Sequence, residues 1–409
     1  MAGKQIPDSA IELVAKHINT RSNKDHGIPV IGHEGNIQTP QIFEIIQFDK
    51  IDDSDRRFYA IDGSYNSEQF YNGLAIAIYA AGYICFHRGK QIRMNSSDDP
   101  VVLGQAYYPQ NILITNENHL NAIYDEFLNL DPVKYLLNFL NDSPENIFPY
   151  KKEQICKNLS TLLGFCQEVL EIALILEVIN RPETKAGDFI LRDGTLRPLQ
   201  IKPQYLVNLG EYAHKKQIKI VSVTKQSPLK MELAYTFRQI DHYLQDQLKH
   251  EYPFVETDLK RQKLCCWFEI PDVVLKAAYG DMFIKKSISG GRGFGLFMAA
   301  RLDYVEKLQN YDWLIADVNI FDAMPQIRAG SYERDREELE LIFKELTRLT
   351  QEHYILGYPY PLCEVHNFIS LKRNFKDEII ARLKYSLYKD QRMDNVDIEN
   401  LFLDTHDRF

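Results

Sequence analysis

The fold is decided by one short stretch, Phe58-Tyr59-Ala60-Ile61-Asp62-Gly63-Ser64. It is an apolar run that ends in Asp-Gly-Ser, and a second apolar run follows at residues 73–86. Runs of this length, rich in aromatic and β-branched residues, are typical of buried strands. We predict a strand that ends at Asp62, a turn over residues 63–72, and a strand or hairpin at residues 73–86. A strand end would hold the Asp62 carboxylate rigidly while Gly63 lets the chain turn away, which makes Asp62 a candidate metal ligand.

Length and composition indicate an ordinary globular protein. The chain has 409 residues, of which 45% are hydrophobic and 12% aromatic. It can bury a large core, as one large domain with insertions or as two domains. The apolar run at residues 73–86 is shorter than the roughly 20 residues that span a bilayer. The amino end has no apolar signal core, so we expect a cytoplasmic protein.

Charge and cysteine usage argue against two kinds of site, a nucleic-acid-binding surface over the whole protein and a cysteine-based zinc site. The net charge of -9 argues against an affinity of the whole surface for nucleic acid, although a local basic channel remains compatible with it. The six cysteines are scattered and form no C-x-x-C pair of the kind that builds zinc sites. We interpret them as buried free thiols.

Later in the chain, another apolar stretch also ends in an Asp-Gly dipeptide. Residues 188–196 predict a strand that leads into Asp193, and residues 156–180 before it predict a helix. Part of this helix is apolar on nearly all faces, which is typical of a helix packed inside a protein. Its exceptions are Glu171 and Glu177. Two Asp and one Glu would suit Mg²⁺ or Mn²⁺, which prefer oxygen ligands, although an isolated Asp-Gly is more often only a turn.

The choice between the two glutamates stays open from the sequence. Six residues of an α-helix place Glu171 and Glu177 on faces about 120° apart, so we expect only one of them at the metal site. Glu171 lies deeper in the apolar run, where an unpaired charge would be costly, and we favour it. Glu177 is the alternative, because it lies nearer the helix end and could simply reach water.

Residues 357–367 carry a further candidate pair near the carboxyl end. Two prolines hold the chain extended, and His366 follows at a predicted helix start. A histidine there could bind metal or move a proton, and Tyr358 could bind a phosphate or stack on a base. The alternative is a half-buried His and a packing Tyr.

Together these pieces resemble the NurA family of DNA-repair nucleases. The matching pieces are residues 60–64, the Glu-bearing helix before residues 191–196, residues 222–227 and residues 357–366. The resemblance implies an α/β fold with an RNase H-like, Argonaute-nuclease-like mixed sheet flanked by helices. It implies manganese-dependent exonuclease and single-strand endonuclease activity on DNA, with Mg²⁺ as the alternative cofactor. It also implies a homodimer that works with a hexameric HerA-type ATPase and is not bound to a membrane.

The resemblance also assigns roles to single residues. Asp62, Asp193 and a helix glutamate become metal ligands, with Tyr358 and His366 as essential residues. Lys225 matches a family lysine that could approach a phosphate, with an ordinary exposed lysine as the alternative. The biological task would be DNA end processing or defence against foreign DNA. The rival hypothesis is a catalytically silent subunit that positions DNA for an ATPase.

The rest of the chain gives coarser predictions. We divide it into an amino-terminal extension (residues 1–55), a nuclease domain (56–390) and a tail (391–409). The Gly-rich run at residues 290–295 lacks the Lys-Ser/Thr of a P-loop, and we interpret it as a flexible loop with Arg292 touching DNA. We further predict strands at residues 218–223 and 265–270, and helices at residues 229–249, 299–308 and 333–351.

Overall fold

Eleven strands of the described chain form one sheet in the computed structural model. The structure describes residues 12, 46–47, 54–70, 74–92, 104–110, 112–114, 118–224, 227–251, 263–280, 293–304, 312–350, 357–371, 373–390, 398–399 and 402. The strands are β1 (Ile46–Gln47), β2 (Arg57–Gln69), β3 (Ala75–His87), β4 (Lys90–Ile92), β5 (Gln105–Tyr107), β6 (Leu113–Ile114), β7 (Phe189–Asp193), β8 (Lys219–Thr224), β9 (Cys266–Glu269), β10 (Gly295–Arg301) and β11 (Leu314–Asn319).

The order and direction of the strands give the sheet a mixed character. Nine strands follow the order β1-β9-β10-β11-β8-β7-β2-β3-β4, and β5 and β6 both pair with β3. Strands β2, β3 and β4 are antiparallel neighbours, whereas β7 runs parallel to β2 and β8 parallel to β7. The order β4-β3-β2-β7-β8 with these directions is that of an RNase H-like core. The predicted mixed α/β fold is confirmed, and β11, β10, β9 and β1 extend the sheet by antiparallel pairing.

Helices cover both faces of this sheet. One helix of 21 residues, apolar around most of its circumference, packs on the face that carries Tyr59, Ile61 and Ile190. The other face, with Ala60 and Leu191, packs against a carboxyl-terminal helix. Neighbouring strand residues point to opposite faces, which explains this division. The helices are α1 (Asn118–Leu128), α2 (Asp131–Leu140), α3 (Pro144–Ile147), α4 (Lys152–Ile155), α5 (Leu159–Ile179), α6 (Pro203–Lys215), α7 (Pro228–Glu232), α8 (Ala234–Glu251), α9 (Asp272–Tyr279), α10 (Ile320–Ala323), α11 (Arg336–Thr347), α12 (Tyr360–Ile369) and α13 (Arg373–Asp390).

None of the helices in the described residues has the length and apolar content needed to cross a membrane.

The predicted strand end at Asp62 is wrong. Strand β2 continues through Asp62, which pairs with Gly82, and Gly63, which pairs with Ala81, as far as Gln69. The long apolar run that follows forms one strand, β3, and offers a partner to all 13 residues of β2. What ends near Asp62 is the parallel pairing with β7, whose last matched residue on β2 is Ile61.

Other element predictions had mixed outcomes. The strands predicted at residues 218–223 and 265–270 appear as β8 and β9, with each end within one residue of its predicted position. The helix predicted at residues 299–308 is wrong over residues 299–304, because Gly295–Arg301 forms β10, a strand buried at every position, and residues 305–308 lie outside the described residues. A fully buried strand has no alternating pattern and resembles a helix segment in sequence. The helix predicted at residues 229–249 appears as two helices, α7 and α8.

Four predictions fall wholly or largely outside the described residues. Lys225 and Arg292 lie outside them, as does most of the predicted extension and tail. Within the extension, Ile46–Gln47 pairs with β9 and adds an edge strand to the sheet. The division into extension, nuclease domain and tail stays a prediction.

Candidate metal centre

Asp62 forms the centre of the candidate site together with His366. Its Oδ2 lies 2.8 Å from His366 Nδ1, and its Oδ1 accepts the backbone N–H of Gly63 at 2.8 Å. The helix that carries His366 is tied to β2 just beyond its end, because Ser64 Oγ accepts the N–H of Leu371 at 3.2 Å. Asp62 is buried, whereas the His366 side chain is 54% exposed. The pair therefore lies at the boundary between the core and solvent.

The electrostatics of Asp62 show that carboxylates converge on it. Burial, followed by the charges of Glu171 and Asp193, raises the pKa of Asp62 to about 6, against the opposing hydrogen bond from His366. Like charges that approach each other disfavour ionisation, which is the usual cause of such a shift besides burial. Glu171 and Asp193, the other two acids that the sequence singled out, therefore both lie within electrostatic reach of Asp62.

Asp193 enters the site from the neighbouring strand. It is the last residue of β7, and the following Gly194 has φ +112°, a conformation that favours glycine. Tyr358 is only 2% exposed, and its hydroxyl lies 3.4 Å from the carbonyl oxygen of Val223. Burial and the Asp193 carboxylate, with which it shares a hydrogen bond, raise the pKa of Tyr358 well above its ordinary value. Tyr358 therefore stays protonated, and its single hydroxyl proton has the Val223 carbonyl oxygen and the Asp193 carboxylate as acceptors.

Glu171 reaches the site from helix α5, across Gly63. Its Oε1 accepts Gln167 Nε2 at 2.9 Å, and the same Gln167 amide donates to the Gly63 carbonyl oxygen at 2.9 Å. Its Oε2 accepts Arg192 Nε at 2.9 Å and lies 2.7 Å from Arg192 Nη2. A Cβ on Gly63 would lie 2.5 Å from Glu171 Oε1. Gly63 is therefore needed for the close approach of the helix, not for a turn.

Glu177 binds elsewhere. Its two carboxylate oxygens accept the hydroxyls of Tyr83 at 2.6 Å and Tyr107 at 2.8 Å. Arg181 Nη1 donates to the same Tyr83 hydroxyl at 2.7 Å. The charge of Glu177 is not among the causes that shift the pKa of Asp62. Of the two glutamates left open by the sequence, the structure brings Glu171 towards Asp62.

The residues fit a divalent cation by their chemistry, although they do not form a closed cage. Carboxylate oxygens and one imidazole are suitable donors for Mn²⁺ or Mg²⁺, and the repulsion that raises the pKa of Asp62 is what a bound cation relieves. Among the described residues, however, no three His, Cys, Asp or Glu side chains are grouped closely enough to hold a metal. The acids are not grouped closely because the Glu171 carboxylate is already hydrogen-bonded to Arg192 and Gln167.

Sequence reasoning missed two residues that shape this site. Gln167 lies one helical turn before Glu171, and this four-residue spacing was a readable signal for a side-chain contact. Arg192 directly precedes Asp193 in sequence, but strand alternation sends the two side chains to opposite faces, so its contact with Glu171 needed the tertiary structure. The proposed DNA contacts of Lys225 and Arg292 are outside the described part of the chain.

Comparisons with known proteins give matches among solved structures. No protein-family model matches the chain, and no curated protein matches it. The crystal structure of the NurA nuclease from Sulfolobus solfataricus has 11% identity and a TM-score of 0.44, over 95% of this chain and 99% of that chain. The crystal structure of NurA bound to dAMP and manganese has 11% identity and a TM-score of 0.32, over 97% and 99%. The alignments with these two NurA structures extend over nearly the whole of this chain.

Proposed function

We propose that this chain is a metal-dependent DNA nuclease whose metal ligands are Asp62, Glu171, Asp193 and His366. The observation that carries the proposal is the convergence of the three carboxylates, which together with burial raises the pKa of Asp62 to about 6. Mn²⁺ is the proposed cofactor, with Mg²⁺ as the alternative. A bound divalent cation supplies Lewis-acid activation of water and stabilises the leaving oxygen in phosphodiester cleavage.

The chain's own groups would divide the remaining work. Asp62 is fixed by the Gly63 N–H and by His366, so its carboxylate needs little reorganisation before it binds. His366 is half-exposed and can take up or release a proton at the edge of the site. Tyr358 is too buried to stack on a base, and we assign it the role of orienting Asp193.

The finer parts of the proposal rest on the sequence resemblance. They are exonuclease and single-strand endonuclease activity, a homodimer, and cooperation with a hexameric HerA-type ATPase in DNA end processing or defence against foreign DNA. Lys225 and Arg292 are the proposed contacts to the DNA backbone. The net charge of -9 favours a confined DNA path over binding on the whole surface.

A cleavage assay with matched buried variants tests the proposal. Labelled single- and double-stranded DNA is incubated with the purified chain in Mn²⁺, Mg²⁺ or chelator, and Asp62→Asn is compared with Asp188→Asn. Asp188 is a second buried carboxylate at the other end of β7, where it accepts the backbone N–H groups of Arg57 at 3.0 Å and Lys185 at 2.8 Å. We expect manganese-dependent cleavage by the wild type and by Asp188→Asn, and none by Asp62→Asn.

Two results would contradict the proposal in different ways. Undiminished cleavage by Asp62→Asn would remove Asp62 from the metal centre. No cleavage by the wild type in either metal, with or without the ATPase, would favour the silent DNA-positioning subunit.

A further inference from the structure

The carboxyl-terminal part of the Gly-rich run, which holds none of the proposed metal ligands, lies against the turn that follows Asp193. Its described part is Gly293–Gly295, and the N–H of Phe294 donates to the carbonyl oxygen of Leu196 at 3.2 Å. Gly293 has φ +88°, and a Cβ on it would lie 2.1 Å from the same carbonyl oxygen. No other residue type would allow the two backbones to approach this closely. The segment is therefore built to contact this turn.

The buried ion pair of Asp317 and Arg197 contacts the same turn. Asp317, on β11 and 1% exposed, accepts the N–H of Leu196 on its Oδ2 at 2.9 Å. Arg197 Nε lies 3.4 Å from this Oδ2, and Arg197 Nη2 donates to the carbonyl oxygen of Gly295 at 2.5 Å. A Cβ on Gly295 would lie 2.0 Å from Asp317 Oδ1. The second glycine thus makes room for the Asp317 carboxylate.

These contacts lead directly to the candidate metal ligands. The turn held by Asp317 begins at Asp193, three residues before Leu196, and Arg192 Nη1 donates to the carbonyl oxygen of Thr195 within it. Arg192 also binds Glu171. In the sheet, Asp317 pairs with Ser222, and Ser222 pairs with Arg192. The side chains of Arg192 and Asp317 therefore hold one turn from two strands, and Arg192 links it to Glu171.

The burial of the Asp317–Arg197 ion pair needs a physical explanation. A buried ion pair often contributes no net stability, because the cost of desolvation offsets the attraction between the charges. Residues that orient metal ligands, by contrast, typically change metal affinity or activity about 10- to 100-fold when they are replaced.

We propose that Asp317, Arg197 and Gly293–Gly295 form a clamp that positions the Asp193 turn, and with it Asp193, for metal binding. The Asp317 clamp rests on the proposed function of the same site. Asp317 is a positioning residue in this proposal, since it contacts the turn and not the metal. It acts through the Leu196 N–H and through Arg197.

Manganese affinity, measured without DNA, tests the clamp. The dissociation constant of Mn²⁺ is obtained from the electron paramagnetic resonance signal of free Mn²⁺, and thermal unfolding is recorded on the same samples. We expect Asp317→Asn to bind Mn²⁺ at least about 10-fold more weakly than the wild type. Arg197→Lys keeps the positive charge but loses the planar guanidinium group, and we expect it to weaken Mn²⁺ binding less than Asp317→Asn does.

Asp241→Asn is the matched control. Asp241 is also a buried carboxylate that pairs with a buried arginine, Arg301, and Arg301 Nε donates to the carbonyl oxygen of Leu264, which lies outside the Asp193 turn. We expect it to lower thermal stability without changing the Mn²⁺ dissociation constant. If Asp317→Asn does not fold, Arg197→Lys decides the question.

The outcomes separate the clamp from the function on which it rests. If the wild type binds Mn²⁺ and both clamp variants bind it equally well, the clamp is refuted and the nuclease proposal stands. If the wild type neither binds Mn²⁺ nor cleaves DNA, the nuclease proposal fails and the clamp fails with it.

Discussion

The two Asp-Gly dipeptides of this chain look alike in sequence and differ in the folded protein. Asp62-Gly63 lies inside a continuous strand, and its glycine allows helix α5 to bring Glu171 against the sheet. Asp193-Gly194 ends a strand, and its glycine adopts φ +112° in a turn. A glycine is required in both places, once for the space of a missing Cβ and once for backbone conformation. The dipeptide therefore indicates that its glycine is constrained, but it does not indicate whether the constraint is the space for a Cβ or the backbone conformation.

The largest expected effect is on catalysis, where the two dipeptides should behave alike. We expect Asp62→Asn and Asp193→Asn each to reduce manganese-dependent DNA cleavage below detection, because each removes a carboxylate ligand from the proposed site. The measurement is the initial cleavage rate at saturating Mn²⁺, with circular dichroism to verify folding. Full activity of either variant would separate the two dipeptides in function.

Substitution of the two glycines should separate their roles. Gly63→Ala places a methyl group 2.5 Å from Glu171 Oε1, whereas the nearest atom to a Cβ on Gly194 is 3.8 Å away. We expect each variant to lose about 1–3 kcal/mol in urea unfolding, the first by overpacking and the second by backbone strain. Gly63→Ala should displace Glu171 directly and weaken Mn²⁺ binding more, whereas Gly194→Ala should act on Mn²⁺ binding only through the Asp193 turn. Equal Mn²⁺ affinities in the two variants would contradict the assigned difference.

The raised pKa of Asp62 predicts a pH-dependent change in stability. Asp62 binds its proton more tightly in the folded than in the unfolded chain, since its pKa rises from 3.8 to about 6. Its contribution to stability is complete below about pH 4 and is lost as the pH rises through about 6. Without metal, Asp62→Asn should therefore be more stable than the wild type by about 1–3 kcal/mol at pH 7.5.

This gain should disappear at low pH, where Asp62 is protonated in both states. Added Mn²⁺ should stabilise the wild type and not Asp62→Asn, because only the wild type keeps the proposed carboxylate ligand. A stability difference that is constant from pH 4 to 7.5 would contradict the role of the buried charge.

The smallest effect is expected at Glu177, on the same helix as Glu171. Glu177→Gln keeps an acceptor for only one of the two tyrosine hydroxyls and should cost about 1 kcal/mol in unfolding free energy. Its cleavage rate should equal that of the wild type, whereas Glu171→Gln should be inactive. The two cleavage rates show which glutamate belongs to the metal site with Asp62. An active Glu171→Gln together with an inactive Glu177→Gln would assign that role to Glu177.

The resemblance of the sequence to a nuclease family implied the mixed α/β fold, and local patterns in the sequence determined the buried helix and the small set of acids worth testing. These features are local, since apolar periodicity and the isolation of a charge in an apolar run can be read within about 20 residues. That range also explains the error at residues 299–301, because a fully buried strand has no periodicity to distinguish it from a helix segment.

Only the tertiary structure decided how these pieces meet. Strand β2 continues past Asp62 because β3 offers hydrogen-bond partners for its whole length. Glu171, and not Glu177, approaches Asp62 because Gly63 leaves room for it. The contact of Asp317 with Leu196 joins residues 121 positions apart, a distance over which sequence pattern carries no signal. Local patterns fix which residues are buried, whereas the partners of a buried charge depend on packing between distant segments.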